Sequence, residues 1–210
     1  MQVANLQVYT MPRLAAKCEN VLRALNDPFI LPGVQHSASL VCIAIMSKVY
    51  SLKTVQKMPI SLEQAWDFFS KPDNLKDITP SNLGFVIRSK HHGVRMYPGQ
   101  IIEYTVSPVL GIPLYWMTEI THVQDQRFFV DEQRFGPYSL WHHQHHFTPI
   151  DGGVEMTDIV HYKLPMWVLG DIAHGLFVKA QLRQIFAHRF QKTTELFGEW
   201  PGQKMDVQFS

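Results

Sequence analysis

Over residues 85–164 the hydropathy alternates with a period of two, in six short segments cut apart by turn residues. The segments are 85–89, 100–107, 114–122, 127–135, 139–148 and 154–164. Pro98-Gly99 opens the second, and residues 108–113, bounded by prolines, separate it from the third. Gly136-Pro137 ends the fourth, Asp151-Gly152-Gly153 the fifth and Pro165 the sixth. Such short connections leave no room for crossover helices, so the strands form an antiparallel meander.

The flanks have the helical period. Residues 49–58 alternate well enough for a first strand, ended by Pro59. Ser61-Leu62-Glu63-Gln64 has the form of a capping box, with Ser61 as N-cap and Gln64 reaching back. The short helix it opens carries Leu62, Ala65, Trp66 and Phe69 on one face. A second short helix over 74–78 stops at Pro80, so the two make a bent V. Residues 167–197 form one long helix, with Leu169, Ile172, Ala173, Leu176, Ala180, Ala187, Phe190 and Phe197 on a broad face that includes Arg183. Gly170 and Gly175 weaken its first turns, and Gly198 caps its end. A helix of this length spans roughly 45 Å. The class is therefore α+β: a curved antiparallel sheet of about seven strands wrapped around a C-terminal helix. A sheet that curls around one helix closes incompletely beside it and leaves a cavity.

The expected domain is 46–200, with 201–210 as a tail. Residues 1–45 read differently. Only 11–26 has helical spacing, through Leu14, Val21, Leu22 and Leu25, before Pro28, Pro32 and Gly33 break it. Met46-Ser47-Lys48 looks like an ordinary bacterial start, so 1–45 is expected to be a misassigned upstream extension or a poorly ordered arm. Both cysteines, Cys18 and Cys42, fall there, so the domain has no disulfide framework and no thiolate nucleophile. This fits a cytoplasmic protein. With net charge +1 and cations scattered among acids, no basic stripe exists for nucleic acid. The apolar stretch 40–46 is too short to cross a bilayer.

The strand Trp141-His142-His143-Gln144-His145-His146-Phe147 is the richest in chemistry. Alternation puts Trp141, His143, His145 and Phe147 on one face, and this more apolar face is expected to look into the cavity. His142, Gln144 and His146 point the other way. Two histidines two apart can chelate zinc or iron given a third ligand, which Asp131, Glu132, Asp158 or His161 could supply. The expected reading is nevertheless no metal and no cofactor, with the imidazoles hydrogen-bonding in a polar patch that orients a ligand carbonyl or hydroxyl. Asp131 shares a face with Phe129, Gln133 and Phe135, and Asp158 lies between Met156 and Val160 on its own face. An inward carboxylate needs a cation, and Arg183, His143 and His145 are candidates. The aromatic candidates for the wall are Tyr104, Trp116, Phe129, Tyr138, Trp141 and Tyr162. The expected ligand-binding set is these rings with Asp131, Gln133, His143, His145, Asp158, Leu176 and Arg183. If there is catalysis, His143, His145, Asp131 and Asp158 are its candidates. There is no nucleophile elbow and no glycine-rich phosphate loop.

The element order and the segment PISLEQAWDFFSKPDNLKDITP, residues 59–80, resemble the helix-grip superfamily of the major birch pollen allergen, the START domains and the bacterial polyketide cyclases. The blocks MYPGQIIEYTV, FVDEQRFGPYSLWHHQHHF and DIVHYKLP are similar to a bacterial branch described as ligand-binding, of the cyclase/dehydrase and lipid-transport type. The resemblance implies the fold over 47–198. It implies binding or transport of a small hydrophobic molecule such as a lipid, quinone, isoprenoid or polyketide. The alternative is a cyclase or dehydrase using cavity His and Asp residues for acid–base chemistry. A third reading is an interaction module whose long helix opens the cavity in transient contact with a membrane. The chain is expected to be a monomer.

Overall fold

The computed structural model describes residues 48–89, 94–109, 111–165 and 177–210. The chain divides into two units, 1–47 and 48–210, and all described residues belong to the second. The expectations for 1–45 and for Leu169, Ile172, Ala173 and Leu176 lie outside the described residues.

The strand β1 (Tyr50–Met58) is followed by helix α1 (Leu62–Phe69) and two 3₁₀ turns, Pro72–Ile78 and Ser81–Leu83. Then come β2 (Val86–Ile87), β3 (Gln100–Val109), β4 (Ile112–Gln124), β5 (Phe128–Phe135), β6 (Leu140–Ile150) and β7 (Gly153–Lys163). Helix α2 (Lys179–Phe197) and β8 (Val207–Phe209) complete the order. The eight strands make one sheet, β2-β3-β4-β5-β6-β7-β1-β8. All of its pairs are antiparallel, and this is the helix-grip arrangement. Among the described residues, no helix is long and apolar enough to cross a membrane.

Local chemistry accounts for the elements. Ser61 Oγ accepts from the Gln64 N–H at 3.2 Å, and the Ser61 N–H donates to Gln64 Oε1 at 3.0 Å, which closes the expected capping box. The helix buries Ala65, Trp66 and Phe69, and Trp66 meets Phe129 and Phe147 edge-on at 6.0 and 5.5 Å. In β7 burial alternates residue by residue along the strand, as the period-two pattern requires. The β1–β7 ladder runs from Tyr50 opposite Tyr162 to Met58 opposite Val154. At its end a side chain on Gly153 would have its Cβ 2.2 Å from the Met58 carbonyl oxygen, so only glycine fits.

Three expectations are corrected. The face of α2 is one residue out of phase: Leu182, Phe186 and Thr193 are the buried positions, while Ala180 and Arg183 are exposed. Residues 201–210 are more than a tail. Val207–Phe209 pairs with Leu52–Thr54, because Val207 has an apolar cluster to join and the edge of β1 has free backbone groups. Phe135 does not share the face of Asp131 and Gln133. A bulge in β5 sets Gln133 opposite Thr118 but Phe135 opposite Met117, which leaves Phe135 62% exposed.

Candidate functional site

Between the sheet, the 3₁₀ turns and α2 lies a cavity of about 620 Å³. Its apolar wall comes from Leu75 and Ile78, from Ile102 and Ile120, and from Leu182, Ile185 and Phe186 on α2. Tyr104, Trp116 and Phe129 border the cavity, as do Tyr138 and Trp141. Trp116 holds this group together, with ring centroids 5.8 Å from Tyr104, 5.6 Å from Tyr138 and 5.4 Å from Trp141. The Tyr104 hydroxyl is 2.5 Å from Thr118 Oγ1, and burial pushes this phenol well up from its ordinary value.

The polar end is built by strand register. Asp131 on β5 is opposite His143 on β6, and His145 on β6 is opposite Asp158 on β7. Direct and diagonal neighbours therefore bring two carboxylates around two imidazoles. His145 Nε2 donates to Asp131 Oδ2 at 3.0 Å, and His143 Nε2 donates to Asp158 Oδ1 at 3.2 Å. His143 Nδ1 is 3.4 Å from Asp131 Oδ2. His145 Nδ1 is 2.8 Å from Asp158 Oδ1 but off the line of a hydrogen bond, so this contact is one of charge alone. The two imidazole centroids are 3.8 Å apart, and His145 stacks on Phe129 at 4.2 Å. All four ring nitrogens are thus turned towards carboxylates.

Electrostatics separate the two histidines. Burial and the neighbouring His145 charge push His143 down, towards the neutral form. Burial pushes His145 down as well, but the hydrogen bond to Asp131 and the charges of both carboxylates outweigh it and hold the ring above its ordinary value. Asp131 is held down by His143, His145 and Arg189 against the upward push of burial. Asp158 lies lower still, because Arg189 and both imidazoles overcome the same penalty. Arg189 reaches Asp158 Oδ1 at 3.5 Å and lines the cavity.

Asp131, His143 and His145 border the cavity together. Asp158 stands behind the imidazoles, one strand further. Tyr162 is fully buried in the cluster under α2, away from the wall, because it stacks on Tyr50. Gln133 braces the turn instead. Its Nε2 donates to the Tyr138 carbonyl at 2.5 Å and its Oε1 accepts from the Tyr138 N–H at 3.2 Å, which fixes Tyr138 on the wall. Arg183 is a correction: it is exposed, 5.5 Å from the Phe209 ring, and Arg189 supplies the cation expected of it. Leu176 lies outside the described residues. Sequence reasoning missed Arg189, although the spacing of 182, 186, 189 and 193 marks it once Leu182 and Phe186 are taken as the buried face.

No family model matches the sequence. Comparison with curated proteins gives no match either. Solved structures do match. A protein from Arthrobacter aurescens superposes with a TM-score of 0.54 at 11% identity, over 73% of this chain and 92% of its own. One from Chromobacterium violaceum gives 0.53 at 12%, over 71% and 99%. One from Thermus thermophilus gives 0.52 at 14%, over 69% and 94%. At these identities the likeness is one of fold alone.

Proposed function

We propose that this domain binds a small, largely apolar molecule, with the ligand's body against the rings and its polar end towards Asp131 and Arg189. One observation carries the reading: a largely apolar cavity of about 620 Å³ whose lining includes Asp131, His143, His145 and Arg189. Small-molecule sites have this size and this division of labour. The ligand classes that fit are lipids, quinones, isoprenoids and polyketide-like rings, and binding or transport is the role that asks no more of the site.

Acid–base catalysis of the cyclase or dehydrase kind is the second reading. It requires His143 or His145 to exchange a proton with the ligand, yet every ring nitrogen is turned to Asp131 or Asp158. That arrangement favours binding.

Native mass spectrometry of the freshly purified full chain, followed by solvent extraction, tests the proposal. The expected result is a retained hydrophobe, released on extraction. The Ile185→Trp variant fills the cavity from the helix side. It is expected to keep its fold by circular dichroism and to lose the retained molecule and the binding of a fluorescent naphthalene sulfonate. Retention equal to that of the parent protein would reject an internal site.

A further inference from the structure

We infer that Asp131, His143 and His145 form a binding site for one divalent transition-metal ion on the cavity wall, with Asp158 orienting both imidazoles from behind. Sequence alone fixes two ligands on one strand; the strand register adds the third.

His143 supplies the first donor. Its Nε2–H is committed to Asp158 Oδ1 at 3.2 Å. Its Nδ1 lies 3.4 Å from Asp131 Oδ2. A cation held between the two, with Nδ1 unprotonated, turns this contact into two bonds. His145 Nε2 lies 3.0 Å from the same Asp131 oxygen, and on metal binding it releases its proton to solvent and becomes a donor to the ion. Asp131, His143 and His145 can each offer one ligand atom within 4.8 Å of the other two. At metal–ligand bonds of about 2.1 Å, neighbouring ligand atoms stand about 3.0 Å apart at right angles and about 3.4 Å apart in a tetrahedron. The two contacts to Asp131 Oδ2 have those lengths.

The shell behind the ligands is also in place. Histidine ligands hold their orientation by giving the far N–H to a carboxylate. Here His143 Nε2 donates to Asp158 Oδ1 at 3.2 Å, and His145 Nδ1 lies 2.8 Å from the same oxygen as a charge contact. Asp158 is itself held by Arg189 at 3.5 Å and by the Thr54 hydroxyl at 3.5 Å. Two histidines and one carboxylate suit iron(II) or zinc and leave coordination positions free. Since all three ligands border the cavity, those positions face the space in which an organic ligand's oxygen would lie. The outer face of β6 is different. Its imidazoles are tied to polar neighbours, His142 to Glu132 at 2.9 Å and His146 to Gln144 at 2.9 Å.

The full chain, stripped with a chelator, is titrated with Zn²⁺ alone by calorimetry and with Co²⁺ alone by visible absorption. One ion per chain is expected. Asp131→Asn and His143→Gln should each weaken binding by about 100-fold or more, and Asp158→Asn by about 10–100-fold. His161 on β7 is the cross-strand partner of His142 on the outer face, and the double variant His142→Gln/His161→Gln should bind as the parent does. X-ray absorption of the wild-type zinc form needs no variant to fold, and it should show two imidazoles with the remaining donors oxygen. The proposal is overturned by absence of binding at millimolar metal, by affinity unchanged in Asp131→Asn and His143→Gln, by loss in the outer-face variant, or by sulfur or a single imidazole in the absorption spectrum. Because the metal is added without any hydrophobe, failure here leaves the binding of an apolar molecule to its own test.

Discussion

Arg189 is the residue on which the buried polar cluster most depends. It is the one arginine against Asp158 among the described residues, and the carboxylate is 6% exposed. Removing the guanidinium leaves a buried anion short of a partner. Arg189→Met is therefore expected to destabilise the domain by about 1–3 kcal/mol in urea unfolding. Arg183→Met, six positions earlier and on the exposed side, is expected to change stability by no more than about 0.5 kcal/mol. Equal effects would mean that the inward face of α2 has been misplaced. Gly153 gives a second test at this scale. In Gly153→Ala the new methyl meets a backbone oxygen rather than a flexible side chain, so the β1–β7 pair has to shift. A loss of about 1–3 kcal/mol is expected, read from the same denaturant midpoint.

At the scale of elements, what was legible depended on how cleanly a pattern repeats. All six period-two segments became strands, because a sheet with one wet face forces strict alternation, as β7 shows. The capping box was legible because its chemistry is local to four residues. Its weight can be measured: Ser61→Ala should cost about 1 kcal/mol, seen as a lowered thermal midpoint, with Ser61→Asp close to the parent protein. The face of α2 was illegible for the opposite reason. Leu182, Ile185, Phe186, Ala187, Phe190, Leu196 and Phe197 are spread around the helix, so no single phase stands out in KAQLRQIFAHRFQKTTELF. The site was legible by half. Alternation alone puts His143 and His145 on the inward face, but their pairing with Asp131 and Asp158 needs the β5–β6–β7 register. No bulge interrupts either pair, so that register is set by the connections at 136–139 and 151–152, of which only the second is a short turn with a clear signal in the sequence.

For the molecule as a whole, the last strand decides how β1 ends its sheet. The sequence marks 201–210 as a tail because three strand residues among polar ones carry no pattern. Their order comes from what they cover. Val207 enters the cluster of Leu52, Val160, Tyr162, Leu182 and Phe186, which also anchors the inward face of α2. Ser51 and Ser210 exchange backbone hydrogen bonds of 2.9 and 3.1 Å at the open end of β1. Ending the chain after residue 204 would remove that cover. It would expose the backbone groups of β1 as an unpaired edge and loosen the cluster on which α2 rests. The truncated chain is expected to unfold at lower temperature and to self-associate, seen as a rise in light scattering with protein concentration. Since α2 lines the cavity and rests on this cluster, the truncated chain should lose naphthalene sulfonate binding before it loses its far-ultraviolet dichroism. Unchanged scattering together with unchanged binding would show that β8 is an ornament on a sheet that β1 can close by itself.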